Sequence, residues 1–374
     1  MMKLTLDNDV LADAVQFAFR AIPARPPVPV LAGILLAATK DGLTASGFDY
    51  YVSTRATEAA DIDKAGRVLV SGRLLADIVR ALPKQPVVLS EEGTDLVVTC
   101  GRARFTLPTL PLKDYPALPK MPPASGTAAG DALADLATRV AAATAHDASV
   151  PVLGGVQIEF DETRLTMTAT DRYRFSVAEM EWTPDPKTDA ASGKVLVPAE
   201  TLRDAAKVLA GSTQATLAFT DNMLAISTAD RQITGGLIEG ELPKYKSLVP
   251  TEFATVATAA TGELAAIVKR VALVLGKGDP LFLEISDGEI TVRAGTHDTG
   301  MGLDCMDASL NGEPITAAFN PQLLADTLQA IDAPTVQLNF TTPVKPALFH
   351  APDQAATFRS ILMPVRTTET TPKE

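Results

Sequence analysis

The chain alternates apolar and polar residues in many short segments, as β-strands with one buried face do. Residues 165–170 (LTMTAT) place an apolar side chain at every second position, which predicts a half-buried strand. Residues 171–174 (DRYR) then interrupt the apolar face, and residues 175–177 (FSV) resume it. We therefore predict a β-hairpin or kinked strand that presents polar side chains at its tip.

Three other segments have the spacing of amphipathic helices, with apolar residues three or four positions apart. Pro23 ends the first of these segments. The predicted apolar faces are Leu11, Val15, Ala18 and Ile22 in the first, Leu133, Leu136, Ala137 and Val140 in the second, and Leu264, Ile267, Val268, Val271 and Leu275 in the third.

Further segments recur along the chain at nearly the same interval. The helix-like residues 69–83 align without gaps on residues 196–210 and 318–332, so that Asp77, Asp204 and Asp326 coincide. The strand that starts at Leu43 matches the one at Leu165, and a weaker third copy starts at Ile290. Asn320 followed by Pro321 is a typical start for the third version of the helix. Repetition of two unrelated segments at one interval indicates three copies of one domain.

We predict an α+β fold in which each copy has two helices packed on β-sheets. The expected domains are residues 1–123, 124–250 and 251–374, and the third ends in a short polar tail from Thr367. The proline-rich residues 107–126 and residues 242–250 are interpreted as the linkers between them.

The composition excludes several classes of protein. A net charge of −12 over 374 residues argues against a protein coated with nucleic acid, but it allows a local basic surface. The two cysteines have no metal-ligand spacing, and no apolar run approaches the length of a membrane span. We expect a cytoplasmic protein that has no disulfide bond, no membrane contact and no zinc site.

No catalytic constellation is visible. His146, His297 and His350 stand alone, and the chain has neither a phosphate-binding glycine loop nor a nucleophile motif. We expect no catalytic residue, no metal and no cofactor. The basic residues on the predicted helices would ordinarily be a solvated face, yet their recurrence on equivalent helices suggests one shared basic surface.

Several distinctive motifs occur along the chain. They are RPPVPVL at 25–31, GRARF at 101–105, TLP at 109–111 running to DYP at 114–116, ATDRYR at 169–174, LPKY at 242–245 and ILMPVR at 361–366. Together, and in this order and spacing between residues 2 and 366, they resemble the bacterial DNA polymerase III beta subunits, the replicative sliding clamps.

The resemblance implies a head-to-tail homodimer whose six domains close a ring, with helices around the hole. Such a ring is a processivity factor and not an enzyme: it slides on duplex DNA without sequence specificity and tethers the replicative polymerase. The residues implied to face DNA are Arg25, Arg73, Arg80, Arg203 and Lys207. The implied dimer interface comprises Arg73, Leu74, Arg104 and Phe105 in the first domain and Arg270, Leu273 and Val274 in the third.

The resemblance also implies a pocket between the second and third domains that binds peptides of the polymerase, the clamp loader and other partners. We expect Arg174 and backbone groups to orient the peptide over an apolar floor. The implied pocket residues are Leu153, Thr170, Arg172, Tyr173, Arg174, Phe175, Pro243, Leu248, Asn320, Leu323, Met363, Pro364 and Val365.

The sequence departs from the family at four places. Pro151-Val152 stands where some relatives carry aromatic residues near DNA, and Arg172 is bulkier than the small residue of some members. Phe175 replaces the usual leucine, and the tail from Thr367 continues past the usual end. The chain could be a housekeeping clamp or a divergent second copy. An alternative from another class is an adaptor built of the same three domains that never encircles DNA.

Overall fold

The structure, a computed structural model, describes residues 1–145, 147, 149–188, 192–244, 249–250, 252–297 and 300–370. In these residues each third of the chain contains the same unit twice: a strand, a helix and a run of further strands. The helices are α1 (Asn8–Phe19), α2 (Gly72–Ala81), α3 (Gly130–Ala141), α4 (Ala199–Leu209), α5 (Thr261–Val271) and α6 (Pro321–Ala330).

The strands are numbered in chain order. The first repeat contains β1 (Lys3–Asp7), β2 (Gly33–Thr39), β3 (Gly42–Phe48), β4 (Val52–Glu58), β5 (Asp61–Lys64), β6 (Gly66–Ser71), β7 (Pro86–Glu92), β8 (Asp95–Cys100) and β9 (Ala103–Pro108). The second contains β10 (Gly126–Ala129), β11 (Gly155–Asp161), β12 (Arg164–Thr170), β13 (Arg174–Glu181), β14 (Thr183–Pro184), β15 (Ser192–Pro198), β16 (Gln214–Phe219), β17 (Met223–Ser227) and β18 (Arg231–Gly236). The third contains β19 (Thr255–Ala260), β20 (Leu281–Ser286), β21 (Glu289–Thr296), β22 (Gly300–Gly312), β23 (Ile315–Phe319), β24 (Thr335–Phe340), β25 (Ala347–His350) and β26 (Phe358–Leu362).

The predicted helices form, with their apolar faces buried and two differences at their ends. Helix α1 ends at Phe19, so Ile22 lies beyond it, and Leu275 likewise lies beyond α5. The repeated helix-like segment begins as a strand, because residues 69–71 belong to β6 and α2 starts only at Gly72. The Asn320 cap is confirmed: its Oδ1 accepts the backbone N–H groups of Gln322 and Leu323 at 3.0 and 3.1 Å.

The predicted hairpin is confirmed as β12 and β13, joined by a tip of residues 171–173. Asp171 closes the tip, since its Oδ1 accepts the backbone N–H groups of Tyr173 and Arg174 at 2.9 and 3.0 Å. Arg172, the residue between Asp171 and Tyr173, has a φ of +82°. The tip between β3 and β4 is built in the same way, with Asp49 as the acceptor and a φ of +80° at Tyr50.

The chain forms two compact units whose limits differ from those of the repeats. The first unit contains residues 1–131, 183–190 and 207–237, and the second contains residues 132–182, 191–206 and 238–374. In the first unit β18 of the second repeat pairs antiparallel with β4 of the first, opposing Ile233 to Thr54. In the second unit β26 of the third repeat pairs antiparallel with β13 of the second, opposing Ser360 to Ser176. The second repeat therefore contributes strands to one shared sheet in each unit.

The segment interpreted as the first linker packs onto its own repeat. Tyr115 is buried in a cluster with Leu69 and Phe48, and burial raises the pKa of its hydroxyl. The backbone N–H of Leu110 donates to the carbonyl of Leu69 at 2.7 Å. The first part of this proline-rich segment is thus an ordered cover for the sheet and not a bare connection.

Candidate functional site

The hairpin tip of the second repeat lies beside the last strand of the third. Because β26 pairs with β13, Leu362 lies opposite Arg174, and the next backbone N–H, that of Met363, donates to the carbonyl of Tyr173 at 2.8 Å. Two residues later, the N–H of Val365 donates to the carbonyl of Ala318 at 2.7 Å. The structure thus brings Tyr173, Met363 and Val365 together from distant parts of the chain.

Arg174 holds three elements of the second unit together. Its Nε donates to Asp171 at 2.9 Å, its Nη1 to Asp326 of α6 at 3.1 Å, and its Nη2 to the carbonyl of Ala142 at 2.7 Å. The side chain is only 4% exposed, so its charge is compensated inside the protein by two carboxylates and a carbonyl. In this structure Arg174 is therefore a positioning residue, and its predicted role in orienting a bound peptide stays a prediction.

The bond from Arg174 to Asp326 also places helix α6. Asp326 accepts a second hydrogen bond, at 2.7 Å, from Gln322 in the first turn of the same helix. That first turn begins after Asn320 and carries Leu323, which is half-buried. The tip, the segment after β26 and the start of α6 therefore stand at one edge of the second unit.

The predicted pocket residues differ in their accessibility. Tyr173 is 59% exposed and Met363 39%, Arg172 and Pro243 are exposed, and Val365 is half-buried. Leu153, Phe175 and Pro364 are buried, as is Thr170, whose hydroxyl donates to the carbonyl of Arg174 at 2.7 Å. Thr170 therefore fixes the hairpin, and its predicted contact with a peptide stays a prediction. Leu248 lies outside the residues that the structure describes.

Most of the predicted basic residues are on the surface. Arg73 and Arg80 are exposed on α2, and Arg80 donates to Gln16 Oε1 of α1 at 2.9 Å. Arg25 is exposed ahead of the short 3-10 helix Pro29–Ala32, and Lys207 is exposed in the last turn of α4. These side chains provide sparse positive charge on helical surfaces.

Arg203 differs from the other predicted basic residues. It is half-buried, and its guanidinium donates to the carbonyl of Ala141 at 2.5 Å and to the hydroxyl of Thr144 at 3.0 Å. A cation at the C-terminal end of a helix interacts favourably with the helix dipole. Arg203 therefore stabilises the end of α3 and has less of its charge available at the surface.

Two sheet edges carry exposed apolar side chains. In the first unit, β9 is the last strand of a five-stranded sheet and presents Phe105, which is 39% exposed. Leu74, in the first turn of α2, is 45% exposed. In the second unit, residues 300–307 of β22 pair only with β21 in the described chain, and Leu303 on this edge is 69% exposed. Leu273, after α5, is 85% exposed. Single exposed apolar side chains are common on protein surfaces, but contiguous groups of them mark interaction sites.

Charged side chains flank both edges. Arg104 of β9 pairs with Glu92 at 2.8 Å, and Arg270 pairs with Asp304 of β22 at 2.6 Å. The hydrogen bond from Arg270 holds the pKa of the Asp304 carboxyl below its usual value. Met301 and Leu303 on β22 were not predicted from the sequence. Alignment of the third repeat with β4 and β13, which both pair across a repeat boundary, would have located them.

Comparisons with known proteins identify the family. Residues 2–119, 127–244 and 246–366 match the N-terminal, central and C-terminal domains of the DNA polymerase III beta subunit. The chain is 47% identical to a beta sliding clamp of Streptomyces coelicolor over 98% of this chain and 99% of that one. The chain belongs to the DNA polymerase III beta subunit family.

Other beta subunits are similar to this chain over nearly its whole length. A protein of Streptomyces muensis named beta sliding clamp homolog GriR is 38% identical over 98% of this chain and 99% of that one. The crystal structure of a beta subunit from Thermotoga maritima matches with a TM-score of 0.89 at 25% identity, covering 98% of this chain and 100% of that one. The resemblance inferred from the sequence is confirmed, as are the three clamp domains with two helices each.

Membership of the beta subunit family gives the general function. The chain is a non-catalytic processivity clamp of DNA replication. In the described residues no three histidine, cysteine or acidic side chains lie close enough to hold a metal ion together. Among the same residues no helix has both the length and the apolar character needed to cross a membrane.

Proposed function

We propose that two copies of this chain close head to tail into a six-domain ring that slides on duplex DNA without sequence specificity. The proposed domains are residues 1–123, 124–250 and 251–374. In the same proposal the pocket at the edge of the second unit binds peptides of the replicative polymerase, the clamp loader and other partners.

The observation that carries the ring is a strand pairing that occurs twice. In each case the third strand after the first helix of one repeat (β4 or β13) pairs antiparallel with the last strand of the next repeat (β18 or β26). The equivalent strands that lack such a partner in the described chain are β22 of the third repeat and β9 of the first. If a second copy supplies each missing partner, the same pairing forms twice more and closes a two-fold symmetric dimer.

The side chains on the two remaining strands support this closure. Phe105 and Leu74 on one side, and Leu273, Met301 and Leu303 on the other, are the exposed large apolar residues near these edges. Pairing β9 with β22 would cover them and satisfy the backbone groups of both edges. We therefore add Met301 and Leu303 to the interface that the family resemblance implies. Its margin would be formed by Arg73, Arg104, Arg270 and Val274.

The distribution of charge suits sliding better than tight binding. The chain carries a net charge of −12, while Arg25, Arg73, Arg80 and Lys207 are exposed on or near helices. A few phosphate contacts supply weak affinity without sequence preference, whereas specific base contacts would arrest movement. We propose that closure of the ring, and not affinity, retains the protein on DNA.

The pocket suits a short apolar peptide. Tyr173, Met363, Leu323 and Val365 present aromatic and aliphatic surface, and a methionine side chain adapts to ligands of different shape. Arg174 fixes this edge from inside. We expect peptides of the Gln-Leu-x-Leu-Phe kind to bind with a Kd of about 1 μM, which corresponds to about 8 kcal/mol.

The test of the ring compares circular and linear DNA. Protein loaded on a nicked circular duplex by a clamp loader should remain through gel filtration at moderate salt and should leave after the circle is cut once. Blocking both ends of the linear DNA with bound streptavidin should restore retention. Equal loss from circular and linear DNA would contradict encirclement and favour an adaptor that never surrounds DNA.

A further inference from the structure

Residues 367–370 form a defined turn that lies beyond the part of the chain matched by the family, which ends at residue 366. The backbone N–H of Thr367 donates to the hydroxyl of Thr370 at 3.1 Å, and the N–H of Thr370 donates to the hydroxyl of Thr367 at 3.2 Å. Thr370 is buried. This turn is therefore a folded addition to the family's C-terminal domain.

The turn is tied to the sheet by an ion pair between Glu369 and Arg293. Arg293 lies on β21, also binds Glu284 of β20, and stacks its guanidinium 4.2 Å from the ring centre of Phe282. Arg293 is about one-quarter exposed (27%) and Glu369 about half (55%). The pair is thus held on one side by an aromatic ring and a second carboxylate, while the other side meets solvent.

The ion pair lies in the same row of the sheet as the segment after β26. Arg293 of β21 stands opposite Phe282 of β20, which stands opposite Ala318 of β23. The carbonyl of Ala318 accepts the N–H of Val365 at 2.7 Å. The chain from Val365 to Glu369 therefore runs from the edge of β23, past β20, to β21.

Two hydrogen bonds hold residues 363–365 directly, and each comes from a different element. Met363 is bonded to Tyr173 of the hairpin tip and Val365 to Ala318 of β23. Further along the chain, the buried Thr370 and the pair of Glu369 with Arg293 also hold the segment. Losing the ion pair would let the segment pivot about Val365, and Met363 would sample more conformations before a ligand arrives.

We propose that the Arg293–Glu369 ion pair positions the wall formed by Met363 and Val365, and so sets the affinity of the peptide pocket without touching the peptide. This inference rests on the proposed function of the pocket. Partly exposed ion pairs contribute modestly, so removing Glu369 should weaken peptide binding by about two- to five-fold, mainly through faster dissociation.

The experiment measures binding of a capped, uncharged peptide, acetyl-Gln-Leu-Ser-Leu-Phe-amide, to the full-length dimer by calorimetry and stopped-flow fluorescence. The variants are Glu369→Gln and a truncation after Arg366, with Glu289→Gln as the matched control. Glu289 is an exposed glutamate on β21, the strand of Arg293. We expect both tail variants to bind about two- to five-fold more weakly and the control to bind as the parent does.

Salt and the methyl resonance of Met363 provide independent readouts. Because the peptide is uncharged, raising salt from 0.05 to about 1 M should weaken binding to the parent but not to Glu369→Gln. The methyl signal of Met363, assigned with Met363→Leu, should shift or broaden in free Glu369→Gln.

The outcomes separate this inference from the proposed pocket. If the parent itself does not bind the peptide, the pocket is wrong. If the parent binds and both tail variants bind equally well or more tightly, the positioning role is wrong. Weaker binding that accompanies dissociation of the dimer would also overturn it, because the tail would then support the interface between copies.

Discussion

The two junctions between repeats have the same strand pairing but are closed by different side chains. At the first junction, Arg231 of β18 pairs with Glu58 of β4 and Asp13 of α1, at 2.5 and 2.6 Å, and with Asp230 at 2.9 Å. Burial alone would lower the pKa of Arg231, but the bonds to Asp13 and Glu58 outweigh it and raise the pKa. The cluster borders a cleft of about 800 Å³.

The second junction encloses its arginines more completely. Arg174 is bound by Asp171, Asp326 and the carbonyl of Ala142, as described above. Arg139 of α3 donates to the carbonyl of Ala330 at the end of α6, at 2.7 Å, and lies 4.1 Å from the ring centre of Phe358. Each of these two guanidiniums therefore binds a carbonyl at the end of a helix.

The two junctions are expected to differ in how much stability is lost when the arginine is removed. Removing one member of a buried pair leaves an uncompensated charge and costs about 3–5 kcal/mol, whereas exposed pairs contribute about 0–1 kcal/mol. Two of the carboxylates around Arg231, those of Asp13 and Asp230, are 73% and 53% exposed, whereas Glu58 is 16% exposed. Around Arg174, Asp171 and Asp326 are 12% and 28% exposed. We infer that the second junction depends more strongly on its arginine than the first does.

The largest expected effect is that of Arg174→Met. This change should lower the free energy of unfolding of the second unit by about 3 kcal/mol, since Asp171 and Asp326 lose their shared partner. Trp182, the one tryptophan in the chain, lies in this unit against Phe160 and reports its unfolding in urea. Arg172→Met, at the exposed neighbour in the same tip, is the matched control and should change the midpoint little.

The second expected effect concerns the proposed junction between copies. Leu273→Asp should raise the dimer dissociation constant at least about 30-fold, or about 2 kcal/mol, because a buried unpaired charge is unfavourable. Analytical ultracentrifugation should show monomers while urea unfolding followed by Trp182 is unchanged. Lys277→Asp, at an exposed site shortly after Leu273, is the control for added charge. An intact dimer in Leu273→Asp would place the interface elsewhere.

Local patterns in the sequence were sufficient to predict the repeats, the buried helix faces and the hairpin. These features depend on residues a few positions apart, such as Asn320 and the N–H groups of the first turn of α6. The role of Arg174 could not be predicted, because its partner Asp326 lies in another repeat and nothing local distinguishes a buried arginine from a solvated one.

The strand pairings that join neighbouring repeats were also not predicted, for a related reason. Three similar domains suggest three separate sheets, and strand alternation does not reveal which neighbour lies at an edge. Met301 and Leu303 belong to the third copy of the hairpin, whose sequence is the weakest match. Once β4 and β13 are seen to pair across a boundary, the equivalent strand in the third repeat follows from the alignment.

A smaller effect is expected for Arg231→Met at the first junction. Water in the cleft should hydrate Asp13 and Asp230, so the first unit should lose only about 1 kcal/mol of stability. Scanning calorimetry should show this loss, and Trp182 fluorescence should not report it because the change lies in the other unit. Arg67→Met, at an exposed residue of β6 in the same sheet, is the control. A loss as large as that of Arg174→Met would remove the distinction between the junctions.

The smallest effect on stability is expected at the two hairpin tips that lie at these junctions. Arg172 and Tyr50 both have a positive φ, which glycine adopts without strain, so glycine at either position relieves backbone strain. Arg172→Gly should therefore stabilise the second unit by about 0.5 kcal/mol. Tyr50→Gly also removes an edge-to-face ring contact with Phe48 at 5.8 Å, worth about 0.5–1.5 kcal/mol, so its net effect on the first unit should be zero or destabilising. Thermal unfolding of both variants by calorimetry should show shifts that differ in direction, and stabilisation by both would mean that the ring contact contributes nothing.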